Sequence, residues 1–321
     1  MLNEMKYVYA VYRERSFSKA AQKLFVSQPA LSNMIKKAEA EIGMPIFDRS
    51  TIPLTVTKEG AYYIKEIEEI MLRQRNLMAY FKDLQTQGVG SLSLGGSSFF
   101  CSYLFPDLIG RFREKHPNVS IDLLEGNVRE LKKGLEDETL DLVVETALDG
   151  ESASIERVVF KYEQIILAVP ALYPVNRRLQ PYRLSRKDIL NGRYLQAQVE
   201  PAPLEEFRST PFIIMKAGND MYQRSISMCR NAGFQMRVAM QVDQVLTSIN
   251  IASNGVGAVF VRSDIVRYMP DSGMLVYYKL GDPLAQRPVV FAVKRGRYVT
   301  SAMIDFMRLA GLKWPERVTE E

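Results

Sequence analysis

The chain has 321 residues, 47% hydrophobic and 25% charged, which is globular composition with room for two or three domains. No apolar run reaches the roughly 20 residues that span a bilayer, Met1–Lys6 opens an amphipathic pattern instead of a signal peptide, and two cysteines make no disulfide framework. A cytoplasmic protein with no membrane partner is expected, and its net charge of +5 permits a nucleic-acid partner without requiring one.

Leu2, Met5, Val8 and Tyr12 recur at helical spacing and predict a first amphipathic helix. Ser16-Phe17-Ser18 interrupts it, and Ser18 is the expected cap of a short second helix through Ala20, Ala21 and Leu24. After the turn Val26-Ser27-Gln28-Pro29, Ser27 caps a third helix, with Pro29 in the first turn where a missing N–H costs little. Leu31, Ile35, Ala38 and Ile42 fall on its inner face, and Gln28, Ser32, Asn33, Lys36 and Lys37 on or near the outer one. Any solvated helix carries such a polar face. Two short helices joined by a tight turn, the second polar outside, nevertheless describe a helix-turn-helix whose amides and lysines suit a major groove. Gly43 ends that helix, short strands are expected around Thr51-Ile52-Pro53 as a wing, and Thr57 caps the next helix.

The series Ser16-Phe17-Ser18, Ala20-Ala21, Leu24, then Ser27-Gln28-Pro29-Ala30-Leu31-Ser32 resembles the signature of LysR-type transcriptional regulators. It continues through Glu39, Gly43, Phe47, Arg49, Leu54 or Val56, Thr57 and Gly60 at matching spacings. The resemblance implies DNA contacts from Gln28, Pro29, Ser32, Asn33 and Lys36, with Arg49 serving the wing or a phosphate. Three positions depart from it: Arg15 before Ser16, Ala38 where Leu is usual, and Ile52-Pro53 where the wing is often basic.

From Lys58 to about Gln85 the pattern is one long helix, with Ile64, Ile67, Met71, Met78 and Phe81 at a and d positions of a heptad. Tyr63, Ile70, Leu77 and Leu84 widen that stripe, so a partner helix is expected to cover it. The resemblance gives this helix as the dimerising linker. A dimer would set two recognition helices about 34 Å apart, or a multiple of that, and read an interrupted palindrome in double-stranded DNA.

Gln87-Gly88-Val89-Gly90 reads as a hinge, after which strands and helices alternate. Strands at 91–95, 119–124 and 140–145 enclose helices near 104–112 and 128–138, which is the order of a doubly wound sheet. A second set follows, with strands near 194–198, 212–216, 238–242 and 257–262, and the chain returns through 274–280, 289–294 and a last helix near 300–311. Crossings near Ala168-Val169-Pro170 and Phe260-Val261-Arg262 would join two lobes around a cleft. The resemblance implies the same, a periplasmic-binding-protein-like effector domain. The domains are therefore set at 1–57, 58–86 and 91–321, with lobe I about 91–168 and 263–311 and lobe II about 169–262. The fold class is α/β: a winged helix-turn-helix rich in α-helix, a long linker helix and a two-lobed, doubly wound effector domain.

Ser97 and Ser98 follow the first strand of this half and open a helix, where N–H groups hold anions. Asn127 opens the second helix, Thr146 ends the third strand, and Glu200, Lys216 and Asp243 lie near strand ends across the cleft. Each serine or asparagine equally suits a cap of its own helix, and the three charged residues equally suit solvated loops. Cys101 reads as a packed thiol, and His116, the single histidine, sits before Pro117 as a surface helix stop. One His and two distant Cys supply no ordinary metal site, and neither a phosphate loop nor a GxSxG elbow occurs, so neither an enzyme nor a cofactor is expected. The run Arg177-Arg178, Arg183, Arg186-Lys187 reads as a solvated connection or an oligomer contact.

The leading expectation is a regulator whose DNA binding or bending is switched by a small anionic metabolite. By resemblance it is dimeric or tetrameric, with RNA polymerase as a further partner. Two other readings stand beside it: an architectural DNA-binding protein without an effector, and an enzyme carrying a DNA-binding head.

Overall fold

Three short helices open the computed structural model: α1 (Leu2–Glu14), α2 (Phe17–Lys23) and α3 (Gln28–Ile42). A two-stranded hairpin follows, β1 (Phe47–Asp48) with β2 (Thr55–Val56), and then α4 (Lys58–Thr86). The structure describes residues 2–86, 90–146 and 153–313, so the expected hinge residues Gln87–Val89 lie outside the described residues. The chain forms two compact units, one reaching from the N-terminus to Gln85 and the other beginning at Thr86.

Capping sets the first unit's helices. Ser16, not Ser18, caps α2 by accepting from the Lys19 N–H at 3.4 Å, and Ser27 caps α3 by accepting from Ala30 at 3.3 Å. Ser18 instead donates its hydroxyl to the Gln28 amide oxygen at 3.4 Å, across the helix-turn-helix. Met5, Val8, Val11, Ala20, Ala21, Leu31, Ile35 and Ala38 bury against Ile46, Phe47, Ile64 and Ile67. Each large aliphatic buried there contributes about 1.5–3 kcal/mol. Ile42, expected inside, is 38% exposed in the last turn of α3, beside the left-handed Gly43 (φ 73°).

Ile64 and Ile67 correct the expected dimer stripe. They are buried in their own unit's core and are unavailable to a partner, while Met71 is half-buried. Further along α4, Ile70, Leu77, Met78, Phe81 and Leu84 are exposed. A heptad pattern identifies the apolar face of a helix but not what covers each turn of it.

The second unit begins β3 (Gly90–Gly96), α5 (Ser98–Tyr103), α6 (Phe105–Lys115), β4 (Val119–Glu125), α7 (Val128–Glu136) and β5 (Leu142–Thr146). A 16-residue strand, β6 (Ile155–Pro170), leads to α8 (Val175–Arg178), β7 (Arg183–Leu184) and α9 (Arg186–Leu190). Then come β8 (Pro211–Met215), α10 (Asp220–Asn231), β9 (Arg237–Val242), α11 (Val245–Ser253), β10 (Ala258–Arg262), β11 (Leu275–Lys279), β12 (Gln286–Lys294) and α12 (Ser301–Leu309). The strand order is β4-β3-β5-β12-β6-β10-β8-β9, with β11 pairing β6 and β7. β3, β4 and β5 are parallel, as are β8, β9 and β10, while β6 runs antiparallel to β10, β11 and β12.

β6 belongs to both lobes. Its residues up to Gln164 pair with β12, and Ile165–Pro170 pair with β10 and β11. The lobe boundaries therefore differ from 169–262. The chain enters the second lobe at Gln164/Ile165 and leaves it only between Lys279 and Gln286, because β11 pairs with Ile166–Pro170. The strand expected at 194–198 is instead a short 3-10 turn, Arg193–Leu195, whose Tyr194 hydroxyl donates to Ser263 at 2.7 Å. Among the described residues no helix is long and apolar enough to cross a membrane.

Candidate functional site

The outer face of α3 is largely open to solvent. Gln28, Pro29, Asn33 and Lys36 are exposed and Ser32 is half-buried. Lys36 has no carboxylate partner among the described residues, whereas its neighbour Lys37 is engaged with Glu4 at 2.7 Å. Lys36 is thus free to meet a phosphate, and Asn33 one turn earlier on the same face keeps its amide available.

Of the two roles expected for Arg49, the wing or a phosphate, its contacts serve the wing. Its Nη2 donates to Glu39 Oε2 at 2.9 Å, and its guanidinium lies over the Phe17 ring, 5.2 Å from the centroid. Glu39 Oε1 accepts from the Ile46 and Phe47 N–H groups at 2.9 and 3.3 Å. Arg49 and Glu39 therefore staple the wing hairpin to the recognition helix. At the wing tip, Ile52 is fully exposed, so the loop offers an apolar residue and no cation there.

In the second unit, a cleft of about 510 Å³ opens between the two lobes at the strand ends. Ser97, Asn127 and Thr146 line one wall and Lys216 and Asp243 the other. Ser98 and Glu200, expected there, are absent from the lining: Ser98 is the first residue of α5, and Glu200 stands exposed before the turn at Leu204–Phe207. Asn127 is occupied as a cap, accepting from Glu130 N at 3.1 Å while Glu130 accepts from Asn127 N at 2.9 Å. Lys216 and Asp243 pair with each other at 2.7 Å. Ser97 caps α5 without using its side chain, and that hydroxyl stays free to bond a ligand.

The floor of the cleft holds charges that sequence spacing did not reveal. Glu163 on β6 and Arg287 on β12 are cross-strand partners, joined at 2.7 Å (Nε) and 2.6 Å (Nη2). Glu163's second oxygen accepts from Arg262, at the end of β10, and Arg287 Nη1 reaches Asp220 on α10 at 2.5 Å. Arg224 donates to the same Asp220 at 2.9 Å. Arg262 also lies over the rings of Phe99 and Phe100, 3.7 and 4.4 Å from their centroids. Burial pulls the Arg262 guanidinium below its ordinary value against the pull of Glu163. Burial acts on Arg287 likewise, but Glu163 and Asp220 outweigh it and hold that group above its ordinary value. All five charges are nearly inaccessible, yet Asp220, Arg262 and Arg287 line the cleft. The network ties lobe I (Phe99, Phe100, Glu163, Arg287) to lobe II (Asp220, Arg224, Arg262). Its ion pairs between strands and lobes are separated by 67 to 124 residues, beyond any local pattern. The one local signal was Arg262 closing an otherwise apolar strand.

Residues 2–61 match the family model described as bacterial regulatory helix-turn-helix protein, lysR family, and residues 85–312 match the one described as LysR substrate binding domain. The chain belongs to the LysR-type transcriptional regulators. An uncharacterized HTH-type transcriptional regulator, YcgK of Bacillus subtilis (strain 168), is 31% identical over 95% of this chain and 92% of its own length. A probable RuBisCO transcriptional regulator of Emiliania huxleyi is 24% identical over the same shares, 95% and 92%. Among solved structures, a full-length point variant of OxyR from Pseudomonas aeruginosa matches with a TM-score of 0.63 at 20% identity, covering 97% of this chain and 95% of that one. Full-length CbnR complexed with its target DNA matches with a TM-score of 0.50 at 17% identity, covering 97% and 100%. At these identities the two structures establish the shared fold.

The regulator's two thiols are unpaired and buried. Cys101 is buried and donates to the Gly96 carbonyl at 3.4 Å, and burial pushes it up to about 11. Burial likewise pushes Cys229 up to about 12. Both are expected to resist iodoacetamide at pH 8 in the native protein and to react only on unfolding, as mass spectrometry would show. His116 stacks on Phe112 with ring centroids 4.5 Å apart, closing its helix.

Proposed function

We propose that this regulator binds an interrupted palindrome as a homodimer, and that a small organic anion in the interlobe cleft switches its DNA binding or bending. The observation that supports it is Arg262. Buried on the cleft floor, this guanidinium of lobe II keeps an Nε–H without a hydrogen-bond partner among the described residues and touches lobe I through Glu163, Phe99 and Phe100. An oxyanion seated beside it, also bonded by the Ser97 hydroxyl, would favour one lobe arrangement over another. Such differential affinity is what a switch requires. The exposed apolar run Leu77, Met78, Phe81 and Leu84 of α4 is the dimer surface in this reading, and pairing of dimers into a tetramer and contact with RNA polymerase follow by analogy with the family. The activity is regulatory and cytoplasmic, without turnover.

The test is selection of genomic fragments by the purified full-length protein, with and without a panel of small organic anions that raise its melting temperature. Enrichment of an interrupted palindrome, with affinity or bend changed by one such anion, is the expected result. Recovery of random or AT-rich DNA alone, indifferent to every anion, would replace the reading with an architectural one. Within the selected site, Asn33→Ala should lose about 1–3 kcal/mol of discrimination at one base position. Lys36→Ala should weaken all sequences alike and lower the salt slope by about one phosphate contact. Equal losses on specific and random DNA for Asn33→Ala would remove its reading role.

A further inference from the structure

A second cavity, of about 470 Å³, lies at the far end of lobe II. Ala171 and Leu275 border it, at the end of β6 where Pro170 pairs with Leu275. The cleft lies at the other end of the same strand segment, where Arg262 pairs with Ile165. The strand between Ile165 and Pro170 separates the two by about 16 Å.

Two arginines of the basic run singled out in the sequence, Arg183 and Arg186, line this cavity, and neither has a carboxylate within ion-pair distance among the described residues. Arg186 donates one Nη2–H to the Arg267 carbonyl at 3.1 Å, while its Nε is buried and without a partner. The neighbouring carboxylate, Asp188, is engaged by Ser185 and Arg193 and offers them no counter-charge. Tyr277, also in the lining, is 4% exposed, and its hydroxyl has no hydrogen-bond partner among the described residues. Burial pushes this phenol up to about 12, with Arg186 pulling it down and Asp271 adding to the rise, so it stays a neutral donor. Met269 and Met274 supply an apolar wall, which suits a ligand with a hydrocarbon part. A buried guanidinium N–H left unmet, a phenol hydroxyl without a protein partner and a second unpaired guanidinium form a donor set complementary to an oxyanion.

We infer that lobe II carries a second ligand site, separate from the interlobe cleft, which binds a small amphipathic organic anion through Arg183, Arg186 and the Tyr277 hydroxyl. Asp271, exposed at the rim, opposes the anion and limits affinity. The site gives the regulator a second input that acts on lobe II alone.

The experiment is hydrogen–deuterium exchange of the full-length protein with hexanoate or hexyl phosphate, the neutral hexanol serving as control. Either anion should protect peptides covering 183–188 and 269–277 in a saturable way, and hexanol should not. Arg186→Gln should weaken that protection about tenfold or more, as for loss of one charge-assisted hydrogen bond. Asp271→Asn, at an exposed position, should tighten it. Arg183→Gln, also exposed, repeats the test should Arg186→Gln fold poorly. Protection confined to the cleft peptides 97–101 and 126–131 would overturn the proposal, as would equal protection by hexanol. Indifference of the distal peptides to all three substitutions would overturn it too. If hexanoate and hexyl phosphate differ, the better of the two assigns the carboxylate or phosphate class.

Discussion

Glu163→Ala should destabilise the ligand-binding unit by about 3–5 kcal/mol, the cost of breaking a buried ion pair by removing one partner. One carboxylate serves both Arg262 and Arg287, guanidiniums that are 3% and 6% accessible, so its loss strands Arg262 and leaves Arg287 with Asp220 alone. In a unit of this size each kcal/mol moves the midpoint about 2–4 °C, so calorimetry should show a fall of roughly 10 °C. The double replacement Glu163→Leu with Arg262→Met should recover part of that loss, because well-packed apolar groups often match a buried ion pair in stability while Arg287 keeps Asp220. It should still abolish the response to anions, since the proposed anchor is gone. A fall under about 1 kcal/mol for Glu163→Ala would show the network to be hydrated and not a closed seam.

Gly60→Ala should have the opposite sign from most glycine replacements in helices. Alanine normally gains about 0.5–1 kcal/mol there. A Cβ on Gly60, however, would stand far inside contact distance of the Ile46 carbonyl oxygen and 2.8 Å from both its carbon and Val56 Cγ1. That carbonyl is backbone and already accepts from the Thr57 N–H at 3.0 Å, so it cannot rotate aside. Thr57 meanwhile holds the start of α4 by accepting from Gly60 N at 2.9 Å and donating to Pro45 O at 2.7 Å. The helix must move off the wing, and overpacking of this kind costs about 2–3 kcal/mol. The first unit should unfold earlier and DNA affinity fall, with anion-induced protection of the second unit unchanged. A variant as stable as the parent would mean that α4 enters the unit at another angle.

The helix-turn-helix was legible in the sequence because its information is local. Ser27, Pro29 and Gly43 punctuate one helix, and Asn33 and Lys36 lie one turn apart on it, so spacing along a few turns is enough. Parallel α/β order likewise brings strand ends together, which is why Ser97, Asn127, Thr146, Lys216 and Asp243 were found in the cleft lining. Ser98 and Glu200 failed because nearness to a strand end along the chain does not fix a direction in space. Of the two roles expected for Arg49, the structure favours the wing: Glu39, ten residues earlier, sits close enough to pair with its guanidinium.

What spacing along the chain dictated here was most of the helices and strands, though neither β6 nor the turn at Arg193–Leu195, and where the polar outer face of α3 lies. Pairing over long separations decided the rest. It fixed the passage of β6 through both lobes, the hold of β11 in the second, the burial of Ile64 and Ile67 in their own core, and the meeting of Glu163, Asp220, Arg262 and Arg287. Periodicity records that a side chain must leave water, since that depends on the residue and its neighbours a turn away. Which surface receives it depends on strand register and helix packing, and these are settled only when distant segments compete for the same contacts.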